Sequence, residues 1–170
     1  MKKFVTRFLA FCMIAGFIAT IGIDDAAAQV RNQSGDTINR SFGLAAYMQF
    51  SHLEFLVPIW VSPKLVVVPV IGAKNTENFG TQTRLGAILR IYQRMARLAP
   101  YFGVRALADM FKPNGGSMVT NIEAGVLYGG EFFINNHFSF GVEAHVIVYI
   151  PDVGPRMVST QTLMLANIYF

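Results

Sequence analysis

The stretch FSFGVEAHVIVYI, residues 138–150, decides the fold. Phe138, Phe140, Val142, Ala144, Val146, Val148 and Ile150 fall at every second position, and among the residues between them are Ser139, Gly141, Glu143, His145 and Tyr149. A period of two is the spacing of an extended strand whose successive side chains point to opposite faces. One face of this strand therefore seeks an apolar medium, and the other tolerates water. The same division runs through Thr120 to Phe132, where Ile122, Ala124, Val126 and Tyr128 oppose Asn121, Glu123, Gly125, Gly129 and Glu131. It recurs at 84–92, where Leu85, Ala87, Leu89 and Ile91 oppose Arg84, Gly86 and Arg90. From Ser41 onward no long segment carries the 3.6-residue period of a helix.

Working outward from these segments, the periodicity predicts strands over 41–50, 54–61, 64–73, 82–92, 97–110, 120–133, 137–150 and 160–170, an even number of eight. Several reach the roughly ten residues that a tilted membrane-spanning strand needs. The connections at Ser62-Pro63, 93–96 and 134–136 are short, whereas 74–81, 111–119 and 151–159 are longer and rich in Gly, Pro, Asn and Thr. Short turns at one end and longer loops at the other are the pattern of an outer-membrane barrel. Two places depart from it. The first connection, 51–53, is short where a long loop is expected. Phe55 to Val61 and Leu65 to Ile71 are apolar on both faces and hold Pro58 and Pro69, which remove ladder hydrogen bonds; a bulge or a locally apolar interior would accommodate them.

Composition agrees with the pattern. The hydrophobic class makes up 53% of the chain and the charged class only 14%, against about 25% charged in ordinary soluble domains, which excludes a disordered chain. The formal charge of +4 is scattered with no basic run, which argues against nucleic-acid binding. At the N-terminus, Lys2, Lys3 and Arg7 precede an apolar stretch from Phe8 to Ile23, followed by Asp24-Asp25 and then Ala26-Ala27-Ala28. This is the layout of a secretory signal peptide, residues 1–28, with Ala26 and Ala28 as the small residues at the cleavage site. Residues 29–40 then read as a flexible N-terminal lead-in and 41–170 as the barrel. The single cysteine, Cys12, falls in the signal, so the rest of the chain has neither a disulfide nor a thiolate metal ligand.

The chain ends LMLANIYF, residues 163–170, with an aromatic last and apolar residues at alternate positions before it. Together with Tyr101 to Val104, Gly125 to Phe133 and His137 to Glu143, this resembles the small eight-stranded outer-membrane β-barrel family of Gram-negative bacteria over residues 41–170. The resemblance implies an all-β, antiparallel up-and-down transmembrane barrel in the cell outer membrane, with Phe170 as the signal read by the barrel-assembly machinery. It also implies outer-membrane lipids and lipopolysaccharide as neighbours. A monomer is expected. Because the motifs encode strands rather than a site, the resemblance speaks to fold and location more than to activity.

A sheet in a bilayer must close to pair its backbone groups, and eight strands close around a filled interior. With the polar face inward, Arg84, Arg90 and Arg105 meet Glu123, Glu131 and Glu143 as an expected lumen ion-pair network, joined by Tyr101, Asp109, His145 and Asn167. Outward Phe42, Phe50, Phe132, Phe138 and Phe170 lie near strand ends, as in an interfacial girdle. The one catalytic candidate is His137-Phe138-Ser139 with Glu143, a His-x-Ser pair and an acid, similar to the lipid A deacylases of the outer membrane. It sits beside Asn135-Asn136 in a predicted periplasmic turn, the wrong end for outer-leaflet lipid. His52 and Glu54 offer two donors, too few for a metal site. The expectation is a non-catalytic barrel without metal or cofactor and with a structural or surface-interaction role. The alternatives are passage of a small hydrophobic molecule through the apolar part near Phe55 to Ile71, lipid A hydrolysis at Ser139, and a soluble lipocalin-like barrel.

Overall fold

The computed structural model of the chain describes residues 28–31, 37–49, 52–77, 79–152 and 154–170, and these are all-β. In the stretch expected as a lead-in, β1 (Ala28–Arg31) pairs antiparallel with β2 (Thr37–Arg40) as a separate two-stranded sheet. Of the expected signal peptide, only Ala28 falls among the described residues; Ala26 lies outside them.

The remaining strands are β3 (Gly43–Gln49), β4 (His52–Leu56), β5 (Ile59–Ser62), β6 (Leu65–Thr76), β7 (Gly80–Tyr92), β8 (Leu98–Pro113), β9 (Val119–Phe133), β10 (Phe138–Ile150) and β11 (Met157–Tyr169). They form one sheet in which each pairs with its sequence neighbour, except that β4 and β5 do not pair with each other, and β11 returns to β3. β4 and β5 occupy one position in the wall: β4 pairs with both β3 and β6, β5 pairs with β6, and Phe42 bridges to Ile59. The result is a closed, antiparallel, eight-stranded barrel.

The break between β4 and β5 has a physical cause in the two prolines, which have no N–H for a ladder. Pairing of β4 with β6 stops at Leu56↔Val70 and pairing of β5 resumes at Ile59↔Val67, so Pro58 lies in the gap and Pro69 opposite it. The missing donors are thus concentrated at one interruption, where Val57 N–H still donates to Pro69 O at 3.0 Å. A further register shift lies between Trp60 and Ser62. Both accommodations anticipated from the sequence occur, because Leu56, Trp60, Val66, Val68 and Val70 are all buried and make this part of the interior apolar.

The strands run further than the periodicity predicts at the longer-loop end, where β6 continues to Thr76, β7 begins at Gly80, β8 reaches Pro113 and β11 begins at Met157. Thr, Asn and Lys residues that read as loop join the ladders instead. Gly80, at φ +137°, opens β7 where a Cβ would lie 2.2 Å from the Lys112 carbonyl oxygen, so no other residue fits that turn.

The distribution of side chains inverts that of a soluble protein. Phe55, Val126 and Met164 are 60%, 57% and 57% exposed on the outer wall, whereas Arg90, Glu131 and Glu143 are each 0% exposed inside. Phe42, Phe132, Phe138 and Phe170 all stand exposed at the short-turn end, with the Phe42 and Phe170 rings stacked at 5.4 Å. Phe50 lies outside the described residues.

Candidate functional site: the barrel interior

Every inward side chain is delivered by strand parity, so the interior can be followed from the short-turn end toward the longer-loop end. The first layer is aromatic. Trp60 on β5 stacks on Tyr92 on β7 at 5.0 Å, Tyr92 meets Tyr101 on β8 at 4.8 Å, and Tyr169 on β11 meets Phe133 on β9 at 6.1 Å. Glu131 on β9 sits among these rings as the acceptor for four neutral donors. Tyr92 Oη donates to it at 2.5 Å, Tyr169 Oη at 2.6 Å and Asn167 Nδ2 at 3.0 Å, and the Ser139 hydroxyl completes the set.

The second layer centres on Arg90 and Glu143. Arg90 Nη2 lies 2.7 Å from Glu143 Oε1 and donates to the Tyr47 hydroxyl at 3.1 Å. Its guanidinium carbon also stands 5.3 Å from the centre of the Tyr101 ring, a cation–π distance. Glu143 additionally accepts from Tyr47 and, at 2.6 Å, from Tyr101.

His145 joins this layer to the third. Its Nδ1 lies 3.0 Å from Arg105 Nη1, and its Nε2 lies 2.6 Å from Glu143 Oε2. A guanidinium can only donate, so Nδ1 accepts and Nε2–H donates to Glu143. Above it, Arg105 reaches Glu123 at 3.2 Å, and Arg84 reaches Glu54 at 2.8 Å, Glu123 at 3.2 Å and Asp109 at 3.6 Å. Gln82 Nε2 donates to both Asp109 oxygens at 2.7 and 2.9 Å. The three layers form a packed, hydrogen-bonded column across a lumen of the size that eight strands leave for side chains.

Of the six residues expected in the network, Arg84, Arg90, Arg105, Glu123 and Glu143 stand in ion pairs with one another. Glu131 does not join them; its partners are hydroxyls and an amide. Sequence reasoning missed Glu54 as a lumen residue, together with Tyr47, Tyr92 and Tyr169. The available signal for Glu54 was its shared parity with Leu56, obscured because both faces of that segment are apolar.

His137 and Ser139 are not brought together as a base and nucleophile. Ser139 is buried and its hydroxyl donates to Glu131, whereas His137 is exposed and its Nδ1–H donates to the Tyr169 carbonyl at 3.1 Å. No hydrogen bond joins the two among the described residues. Glu54 faces Arg84 in the lumen, while the side chain of His52 lies outside what is described. Among the described residues no group of three or more His, Cys, Asp or Glu is arranged to hold a metal ion. The Gly115-Gly116 turn joins two strands, β8 and β9. The chain has no match among protein-family models, curated proteins or solved structures.

Proposed function

We propose that this protein spans the bacterial outer membrane as a monomeric barrel, exported by its N-terminal signal, with a structural or surface-interaction role and no catalysis. One observation carries the reading: large apolar side chains cover the outer wall while arginines and glutamates fill the interior. In water that distribution would bury charges and expose the hydrophobic surface, whereas in a bilayer it places each group in the medium it favours. The column of ion pairs and tyrosines supports a plugged lumen rather than a pore.

Electrophoresis of the protein from washed outer membranes, unheated and boiled in SDS, tests this. A faster-running unheated form in that fraction is the expected result, since a closed barrel resists SDS until heated. Recovery of the protein in the soluble periplasmic fraction with no mobility shift would refute the reading.

A further inference from the structure

The barrel wall is not of one height. β3 pairs with β11 only as far as Met48↔Met164, and β4 pairs with β6 only as far as Glu54↔Gly72. The β3–β4 hairpin turns back at Gln49↔His52. Beyond it, among the described residues, 157–163 of β11 and 73–76 of β6 have no strand on the edges that face each other. Three inter-strand spacings, about 14 Å, separate those edges.

The outer face changes on the same side. Large outward apolar residues end at Ile71 on β6 and Leu85 on β7, and the outward positions beyond them include Ala73, Asn75, Thr81 and Thr83, while on β11 Thr160 and Thr162 interrupt the outward apolar row between Met164 and the exposed Val158. On β10 the outward run continues from Phe138 to Ile150 without a polar residue. At about 3.3 Å per residue and a tilt of about 40°, the β10 run stands about 30 Å tall and the β6 run about 15 Å, against an apolar band of about 25 Å in outer-membrane barrels. Where the two sides meet, a groove of about 360 Å³ passes over Ala144, bordered by Val126, Tyr128 and Val146 on one flank and Thr160 and Thr162 on the other.

We propose that this side of the barrel binds a membrane lipid, its acyl chain in the groove over Ala144 and its head group at the opening against Thr160, Thr162 and the free edge of β11. The argument rests on the membrane-spanning reading above. Unpaired N–H and C=O groups are not tolerated against hydrocarbon, so the occupant must hydrogen-bond at a height where β10 still presents Val148. It must also carry an apolar part to fill the groove beside Val126 and Val146. A membrane lipid supplies both at that depth. A second copy does not, because two barrels inserted the same way up cross their wall strands at about twice the 40° tilt and cannot pair these edges. The short belt then draws the bilayer thin on this side, since a short apolar span is matched by local thinning.

The test uses the full chain carrying Cys12→Ala, reconstituted in phospholipid vesicles, with one added cysteine bearing an environment-sensitive fluorophore. Val148→Cys stands ten residues from the start of β10 and Thr160→Cys nine from Tyr169, so the two labels lie at similar heights on opposite sides of the boundary. The Val148 label should be quenched by lipids with a nitroxide on the acyl chain and be shielded from aqueous iodide. The Thr160 label should be quenched most by a head-group nitroxide and several-fold less by the chain nitroxide. Equal chain quenching at both sites would overturn the proposal and leave the membrane reading intact. Quenching of Thr160 by iodide alone would mean open solvent, and shielding from every quencher would mean a protein cover; either outcome overturns it. No chain quenching at Val148 would refute the membrane reading and the proposal with it.

Discussion

Arg90 gives the sharpest test of the interior. It is fully buried, ion-paired with Glu143 at 2.7 Å and hydrogen-bonded to Tyr47. Replacing it with Met leaves the Glu143 carboxylate enclosed without its cation, a change that costs about 3–5 kcal/mol when one partner of a buried pair is removed. The lower end applies, because Glu143 keeps donors from Tyr47, Tyr101 and His145. About 3 kcal/mol is roughly a 150-fold loss in the folding equilibrium, and at a urea slope of about 2 kcal/mol per molar it lowers the unfolding midpoint by about 1.5 M. Glu143→Gln alone strands Arg90 in the same way, at a similar cost. The double variant Arg90→Met with Glu143→Gln removes both charges yet keeps an acceptor for the tyrosines, so its midpoint should fall by only about 1 M. Trp60, the single tryptophan, is buried against Tyr92 and reports unfolding in detergent micelles by its fluorescence. Additivity of the two single costs to within about 0.5 kcal/mol would mean no coupling between these residues and would refute the assignment of the second layer.

Three further outcomes follow from particular contacts. Glu131→Leu strands four buried donors at about 1–3 kcal/mol each and should abolish the unheated fast-running form, whereas Glu131→Gln keeps one acceptor and should cost about 1–2 kcal/mol; equal effects in urea titrations would argue against the four-donor site. A Cβ at Gly86 would lie 2.2 Å from the Ala106 carbonyl oxygen, whereas at Gly130 the nearest atom is 3.9 Å away. Gly86→Ala should therefore lose folded protein by the gel-shift assay and Gly130→Ala should not, the reverse ranking being incompatible with the β7–β8 register. Ser139→Ala removes one donor to Glu131 and should cost about 1 kcal/mol, His137→Ala almost nothing, and mass spectra of lipid A from overexpressing cells should be identical for both variants and the parent. A lipid A change that disappears only in Ser139→Ala would reinstate a hydrolase.

How much of this was legible depended on how cleanly each segment separated its faces. β10 reads correctly because all its outward positions are apolar and Glu143 and His145 mark the other face. The β4–β5 segment does not, because Leu56, Trp60, Val66 and Val68 make the lumen there as apolar as the outer wall, and period alone cannot tell two apolar faces apart. Loop lengths were overread at the longer-loop end, since Lys74, Asn75, Thr76 and Thr81 look like turn residues but extend the β6–β7 ladder. The ionic partners were only half legible. Parity puts Glu131 and Glu143 in the lumen, but which one Arg90 meets is set by stagger around the barrel. That quantity has no one-dimensional signature, and the Tyr47–Glu143 contact joins residues 96 apart in sequence.

Among the described residues the interior holds three arginines against five carboxylates, Glu54, Asp109, Glu123, Glu131 and Glu143, and the way the surplus is held bears on function. An enclosed carboxylate is stable beside a cation or when several neutral donors converge on it, and this barrel uses both devices at different heights. Glu143 takes the arginine, and Glu131 takes two phenols, a hydroxyl and an amide. Both devices need side chains reaching across the lumen, and together they fill it from Trp60 to Arg84. A lumen occupied in this way supports a role at the surfaces that remain. The connections at 77–79, 114–118 and 151–156 are short and offer little area for a large partner. The wall between β9 and β7, with its low apolar belt, free strand edge and groove over Ala144, is the surface whose chemistry the fold leaves unsatisfied.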